Sequence, residues 1–180
     1  METQENVKWI SDDKHSEIEF SARHMMISTV KGNFGKFTIN AVGTHTDPES
    51  AKVEVIIDTN SINTRDTDRD NHLRSKDFFD SEKYPEIRFE STSIKKVDEE
   101  NHIIKGIMTI KNVKKEITLN GSLQGVIKDP YGKTRMGIEV TGEIKREDFG
   151  LTWNMVIEAG KVMVGSKIKI LAHAELVMQE

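Results

Sequence analysis

The chain of 180 residues contains no cysteine, which excludes a disulfide framework, a thiol nucleophile and a thiolate metal site. No stretch approaches the run of about eighteen apolar residues that a transmembrane helix requires, so no membrane span is predicted. The N-terminal residues METQENVKWISDDKHS lack the apolar core of a secretory signal peptide. The expected location is therefore the cytoplasm.

An excess of basic charge is also absent. With 26 Lys and Arg against 30 Asp and Glu, the formal net charge is −4 and the two signs are interspersed. A nucleic-acid-binding face normally shows clustered Lys and Arg, so no nucleic-acid partner is expected. The six histidines lack metal-ligand spacing, and the H-E-x-x-H, G-x-S-x-G and glycine-rich phosphate-loop motifs do not occur. The prediction is a protein without catalytic residues, metal or cofactor.

What the sequence does contain is alternation of apolar and polar residues. This period-two pattern predicts eight β-strands, at 16–24, 35–42, 51–58, 86–95, 102–111, 116–127, 134–146 and 166–178. Strands joined by short turns must be antiparallel. Only the stretches 60–85 and 147–165 depart from the alternation. The prediction is one all-β domain over residues 1–180, with a short helical insertion at about 64–80.

Small residues recur on the predicted inner face of these strands, for example Gly106, Gly121, Gly142 and Ala172. A barrel of eight strands either fills its interior with side chains or encloses one ligand. Small inward residues favour a dry apolar cavity along the axis. Two alternatives remain open: the glycines mark bulges, or small residues on one sheet of a sandwich face large ones on the other.

The segment RDNHLRSKDFF, residues 69–79, interrupts the β pattern with charged side chains. Aspartates around it have the spacing of a calcium-binding loop, but the glycine and the glutamate that such a loop requires are missing. A short helix fits better, capped by Asn63 or Thr64 and carrying an Asp70–Arg74 pair one turn apart. A weakly anchored helix at this place would act as a lid beside a barrel mouth.

Four separated stretches resemble one known family. The stretch RDNHLRSKDFFDSEKYPEIRF is similar to the signature of the YceI-like proteins, and IDTNSINT leads into it. WISDDKHSEIEFSARHMMISTVKGNFGKF resembles the family's opening, KGIMTIKNVKKEITL its hairpin and IKREDFGLTW its last motif. Asn112 stands where the hairpin usually has glycine, and asparagine tolerates the same turn conformation. Four motifs in the family's order make the resemblance specific.

The resemblance implies a single lipocalin-like, eight-stranded antiparallel barrel with an elongated apolar pore that holds an isoprenoid or similar lipid chain. The tail of this ligand would contact apolar residues of the inner face, which are Ile18, Phe20, Phe37, Val53, Val55, Phe89, Met108, Leu119, Ile138 and Ile168.

Polar residues near strand ends are the candidates for holding a head group. His24 and Arg146 continue the inward parity of their strands. An arginine fork suits a pyrophosphate, and a histidine can donate either to the pyrophosphate or to a quinone carbonyl. In the structural alternative, Arg146 pairs with a nearby acid and His24 is a satisfied core histidine. Trp153 and Asn154 would line the mouth, although a packed structural tryptophan fits the sequence equally well.

The favoured function is a non-catalytic carrier for a long-chain isoprenoid lipid, such as a polyprenyl phosphate, a prenylated quinone or a similar amphiphile. A fatty-acyl compound is a further candidate guest. The alternative is a β protein with a filled core that acts through its surface, for example a stress-related interaction module. A hydrolase is the third interpretation, and it lacks a recognisable nucleophile. The family resemblance leaves a homodimer as one option for the oligomeric state.

Overall fold

Eleven β segments hydrogen-bond into one antiparallel sheet in the computed structural model, which describes residues 5–44 and 47–180. The segments are β1 (Asn6–Ser11), β2 (Glu17–His24), β3 (Ser28–Phe34), β4 (Phe37–Thr44), β5 (Asp47–Asp58), β6 (Ile62–Asn63), β7 (Glu86–Lys96), β8 (Asn101–Ile110), β9 (Val113–Lys128), β10 (Thr134–Lys145) and β11 (Lys167–Met178). Of the predicted domain 1–180, residues 1–4 and 45–46 lie outside the described part.

One α-helix, α1 (Thr67–Arg74), occurs in the described ranges and lies between β6 and β7. It falls within the insertion predicted at about 64–80. No helix in the described part of the chain has the length and apolar character needed to cross a lipid bilayer.

The sheet closes on itself because β11 has partners along both edges. β10 pairs with one edge, while β1 and β2 pair with successive parts of the other. β1 and β2 are therefore two parts of one bent strand, and the pairings of β3 with β2 and β4 with β1 continue the same bend. β5 and β6 repeat it beside β4 and β3. The eleven segments thus form an eight-stranded antiparallel barrel, as predicted.

Two clusters of inward side chains lie next to each other along the barrel axis. The first fills the end at which β11 finishes, and its buried members are Trp9, Ile39, Ala41, Ala174 and Leu176. The second lies towards α1 and is built around Phe89, Met108 and Leu119. Phe37 and Val55 pack against both clusters. One half of the barrel is therefore a packed core.

Large side chains cover the inward glycines that were expected to leave the axis open. A methyl group at Gly106 would lie 2.5 Å from the Phe89 ring, and one at Gly142 would overlap Leu119. These glycines make room for neighbouring side chains inside the packed half. The prediction that they open the axis is therefore wrong, because interiors fill such space with whatever side chain is adjacent.

A charge network braces the packed end of the barrel. Arg135 on β10 donates to Asp129 at 2.7 Å, to Asp12 at 2.7 Å and to Glu175 at 3.0 Å. The Arg135 guanidinium holds the pKa of Asp12 and of Asp129 below the ordinary value for aspartate. Oxygens of Asp12 and Glu175 and a ring nitrogen of His15 lie close enough together for a metal ion. Arg135 already supplies the cation between the two carboxylates, so these residues do not argue for a metal site.

Candidate functional site

An apolar cavity of about 500 Å³ lies at the end of the barrel that carries α1 and the segment 146–166. Its apolar lining consists of Ile18, Phe20, Ala22, Val30, Phe34, Ile57, Ile62, Leu73, Phe78, Phe79, Ile87, Met108, Ile110, Ile144, Leu151, Trp153, Met163, Val164, Ile168 and Ile170. Its polar lining consists of Glu19, Arg23, His24, Thr64, Asp66, Asp68, Arg69, His72 and Arg146. An apolar concavity of this size with a few polar groups is the usual form of a small-molecule site.

Helix α1 forms one wall of the cavity and is firmly clamped. Asp66 is the N-cap, and its carboxylate accepts from the backbone N–H of Arg69. Asp70 is buried, and its Oδ1 accepts from the backbone N–H of Thr64 at 2.8 Å and from the Thr64 hydroxyl at 2.6 Å. The predicted cap at Asn63 or Thr64 and the predicted Asp70–Arg74 pair are wrong. The chain that precedes α1 folds back on the helix, so the N–H and O–H groups of Thr64 donate to the Asp70 carboxylate. Asp70 therefore pairs with Thr64 and not with Arg74.

An aromatic cluster stands where α1 meets the segment after β10. The His72 ring lies 4.6 Å from the Trp153 ring and 5.1 Å from the Phe78 ring, both edge to face. Its Nε2 lies 2.8 Å from Asp77 Oδ2, and an ionised carboxylate only accepts, so Nε2–H donates. All three rings line the cavity. The cluster joins α1 to the facing segment across the cavity wall.

Arg146 lines the cavity but directs its guanidinium into the backbone. Its side chain is 3% exposed, and its N–H groups donate to the carbonyls of Leu151, Trp153, Val164 and Gly165. Burial lowers the pKa of this guanidinium, and Glu147 at 3.6 Å opposes the shift. Four of the five N–H groups of an arginine are thus engaged. This geometry gives Arg146 the role of holding the segment 146–166 in place. Among the described residues, no carboxylate accepts a hydrogen bond from it.

The predicted tail-binding residues divide between the cavity and the core. Ile18, Phe20, Met108 and Ile168 line the cavity. The others lie outside its lining: Phe89 and Leu119 are buried beneath it, and Phe37, Val53, Val55 and Ile138 pack against the cluster at the closed end. Strand parity selects the inner face but does not tell at which height along the axis the packed core stops. Contact with a ligand remains a prediction for all ten residues.

Of the predicted head-group residues, His24, Arg146 and Trp153 line the cavity. Asn154 does not line the cavity, and its side chain instead stabilises the hairpin in which Val156 pairs with Val162. Its side chain donates to the Val164 carbonyl at 2.9 Å and accepts from the backbone N–H of Val164 and of Met155. Head-group contact for these residues also remains a prediction.

The sequence pattern missed lining residues that lie outside the predicted strands. Leu73, Leu151, Met163 and Val164 come from α1 and the segment 146–166. Others, such as Phe34, come from β3, whose alternation is broken by Gly32; a methyl group there would lie 2.5 Å from the Phe20 ring. In the sequence, the Phe78-Phe79 pair was the one indication of these missed lining residues. Two adjacent aromatic residues in a charged segment are expected to be buried against other apolar residues.

Known proteins match the chain over almost its whole length. Residues 9–176 match the YceI-like domain. The UPF0312 protein SA2479 of Staphylococcus aureus strain N315 is 39% identical over 170 residues, which cover 94% of this chain and 96% of that protein. The crystal structure of the Campylobacter jejuni YCEI protein superposes with a TM-score of 0.77 at 34% identity, over 88% of this chain and 90% of that one.

A polyisoprenoid binding domain from Saccharophagus degradans, implicated in plant cell wall breakdown, shares the fold. It superposes with a TM-score of 0.68 at 14% identity, over 93% of this chain and 97% of that one. With the domain match, the curated relative and the solved structures in agreement, the chain belongs to the YceI-like family.

Proposed function

We propose that this chain is a non-catalytic binding protein that carries an isoprenoid lipid, with the tail inside the barrel and the head group at its opening. The observation that carries the proposal is the apolar cavity of about 500 Å³ at one end of the barrel. The alternative of a surface-acting module requires a filled core, and only one half of this barrel is filled. The polyisoprenoid-binding domain with the same fold supports the choice of guest.

The cavity volume sets the length of tail that fits. A dry apolar cavity of about 150 Å³ accepts one benzene ring, so about 500 Å³ accommodates roughly twenty carbon atoms. A gain of about 0.3 kcal/mol per heavy atom then gives about 6 kcal/mol, or a Kd of tens of micromolar from the tail alone. A longer chain would have to project from the opening or displace core side chains.

The polar groups around the cavity favour an uncharged head group. Arg69 donates from Nε and Nη2 to Thr64, and Arg23 donates to Thr29 and to the Met26 carbonyl. Acidic residues share the same lining, namely Glu19, Asp66 and Asp68. A phosphate needs cations that are free to pair with it. A prenylated quinone or a prenyl alcohol therefore suits this opening better than a polyprenyl phosphate.

His24 is the best-placed donor for such a head group. It lines the cavity, and within the described residues its imidazole makes no side-chain hydrogen bond. A neutral imidazole carries one donor and one acceptor, which match a carbonyl or a hydroxyl.

The proposal is tested by identifying what the protein holds. Gently purified protein, analysed by native mass spectrometry and organic extraction, should release an isoprenoid or a related apolar guest. Titration with the C20 alcohol geranylgeraniol should then saturate, and geranylgeranyl phosphate should bind more weakly. Protein that contains no guest and does not bind either probe would contradict the proposal and favour the surface-acting module.

A matched pair of variants locates the guest. Ala22→Phe places a ring in the cavity and should weaken geranylgeraniol binding about tenfold or more, because the ring takes the volume of several tail carbons. Thr118→Phe places the same ring on the exposed outer face of β9 and should leave binding unchanged. Equal binding by both variants would show that the guest lies elsewhere.

A further inference from the structure

An exposed apolar surface surrounds part of the cavity opening. We call it the rim, and it consists of Met25, Met26, Ile27, Met155, Val156 and Met163. Met26 is 46% exposed, Ile27 67%, Met155 50% and Val156 73%. Contiguous exposed apolar residues mark sites of interaction with proteins, ligands or membranes, whereas single ones need no explanation.

Backbone hydrogen bonds make the rim one surface. The Met25 N–H donates to the Met163 carbonyl at 2.8 Å, and the Met163 N–H donates to the Met155 carbonyl at 2.9 Å. Val156 pairs with Val162 in the same hairpin. The neighbouring residues His24, Trp153 and Val164 line the cavity. The rim therefore adjoins the cavity lining at the end of the barrel that carries α1.

The turn that presents Met26 has an unfavourable backbone. Met25 and Met26 have φ angles of 51° and 63°, and the Ile27 N–H donates to the His24 carbonyl at 3.1 Å. Three residues, 25–27, connect the paired residues His24 and Ser28, and the first two form the centre of a tight turn. A turn with positive φ angles at both central residues is usually made by Asn-Gly or a similar pair. A positive φ angle is unfavourable for methionine, so Met25 and Met26 lower the stability of the turn relative to Asn-Gly. Such strain is typical of functional sites.

The rim segments contain almost no charge. Residues 24–30 and 153–164 include only two formally charged side chains, Glu158 and Lys161, of opposite sign, in a chain that is 31% charged. They also contain Met25, Met26, Met155 and Met163, half of the chain's 8 methionines. Flexible thioether side chains adapt to irregular apolar partners. A surface of this composition suits an apolar partner without net charge.

We propose that the rim docks on the surface of a lipid bilayer, which the apolar guest leaves to enter the barrel. This inference rests on the proposed function. A lipid partner is favoured over a protein because the rim borders the opening, so docking there lets an apolar chain pass between bilayer and cavity without crossing water. The two rim segments are nearly neutral, and the adjacent cation of Arg23 is hydrogen-bonded to Thr29 and to the Met26 carbonyl. Apolar insertion therefore drives the docking, and anionic lipids are not required.

The test compares two ends of the barrel. The double variant Met26→Ser/Ile27→Ser removes apolar side chains from the rim. Its control, Ile127→Ser/Tyr131→Ser, removes side chains that are 67% and 90% exposed at the closed end. In flotation with phosphatidylcholine vesicles, the rim variant should bind about tenfold or more weakly than the wild type, while the control should match the wild type. Equal vesicle binding by the two variants would overturn the proposal.

A second variant separates docking from folding. Met25→Asn/Met26→Gly supplies the residues that this turn prefers, so its thermal stability should equal or exceed that of the wild type while vesicle binding falls. Vesicle binding at the wild-type level would overturn the proposal. Loss of self-association in the rim variants, measured by sedimentation, together with unchanged vesicle binding, would instead assign the rim to a second copy of the chain.

A solution assay distinguishes failure of docking from failure of the proposed function. The rim variants should bind geranylgeraniol dispersed in solution as tightly as the wild type, but should extract it more slowly from phosphatidylcholine vesicles. If wild-type protein binds the vesicles but does not bind geranylgeraniol, the proposed function fails while the docking surface stands. If all proteins bind geranylgeraniol and extract it at one rate, only the docking inference fails.

Discussion

At the scale of single residues, Arg146 is an arginine at a position suited to binding a ligand, but its side chain stabilises the fold instead. Its position at the end of an inward-facing strand suits a head-group anchor. Its guanidinium is nevertheless surrounded by four backbone carbonyls and is only 3% exposed. A buried cation is tolerated when polar partners replace its lost hydration. The carbonyls do so here, and Arg146 in turn donates to backbone carbonyls of the segment 146–166 that the strand ladders of the barrel leave unpaired.

Replacing Arg146 by Met should lower the free energy of unfolding by about 3 kcal/mol or more, since several buried carbonyls lose their donors. Urea denaturation at pH 7 measures the change. Arg88→Met is the control, because Arg88 pairs with Glu86 on the exposed outer face and should change stability by no more than about 0.5 kcal/mol. Wild-type stability of Arg146→Met, combined with weaker binding of geranylgeranyl phosphate, would instead identify Arg146 as a head-group residue.

At the scale of elements, α1 is a fixed wall. Beyond the Asp70–Thr64 contacts, Arg74 donates to the carbonyls of Asn60 and Ile62 at 3.0 Å each. The middle and the C-terminal end of the helix are thus tied to the chain that precedes it. Leu73 faces the cavity from this helix. A predicted weakly anchored lid is replaced by a wall whose hydrogen bonds must break before it can move.

Asp70→Ala should make α1 more mobile. Removal of a buried acceptor leaves the Thr64 N–H and hydroxyl without a partner, so the amides of α1 should exchange with solvent about tenfold faster or more. Amides in β8 and β9 should keep their protection. The control is Asp68→Ala in the same helix, where the carboxylate is exposed. Hydrogen exchange followed by mass spectrometry reports both regions, and unchanged exchange in α1 of Asp70→Ala would contradict the clamp.

The elements also show what the sequence reveals and what it hides. Alternation predicted the number of strands correctly because each missed segment, β1, β3 and β6, prolongs a strand that had been found. The bulge between Ser91 and Ser93 is invisible in the pattern, and it turns Ile94 inward where simple alternation predicts Ser93. Contacts such as Asp70 to Thr64 depend on how the chain folds back, which no local spacing encodes.

For the candidate site, the sequence predicted which side chains point into the barrel but not which of them line the cavity. Parity correctly turned Phe20, Met108 and Leu119 towards the interior, yet only the first two line the cavity. The difference lies in the stagger of the strands, which sets the height of each residue along the axis. That height depends on pairing across the whole barrel, so the boundary between packed core and cavity appears only in three dimensions.

At the scale of the whole molecule, the barrel is half core and half cavity. Phe89 and Leu119 belong to the same buried cluster as the lining residue Met108, but they lie outside the lining. They form a floor, and Phe37 and Val55 join it to the packed end. For the proposed guest, the depth of this floor, more than the length of the barrel, would limit the length of the tail.

Leu119→Ala should therefore deepen the cavity. With linear isoprenoid alcohols of increasing length, wild-type affinity should rise to about twenty carbons and then level off. In Leu119→Ala the rise should continue towards the C25 alcohol. Leu176→Ala, in the packed end, should cost a similar 2–5 kcal/mol of stability, on the order expected for buried leucines, without changing the length profile. Identical profiles for the two variants would contradict the floor.

Acid resistance of the whole barrel should depend on Arg135. Because Asp12 and Asp129 have pKa values below the ordinary 3.8, their interaction with Arg135 stabilises the fold above about pH 4 and is lost as the pH falls through the lowered values. Arg135→Gln should lower the melting temperature at pH 7, and its difference from the wild type should shrink below about pH 4. The control is Lys133→Gln, in the turn that precedes β10. A difference that is constant with pH would contradict this linkage.

The closed end has a consequence for delivery. For the guest that we propose, entry is tail first and departure is head first, through one opening. The proposed head group would stay at the protein surface during carriage, where an enzyme could modify it while the tail stayed inside the barrel. Under this proposal, donor and acceptor would use the end of the barrel that carries α1 in turn, so handover would consist of two separate encounters.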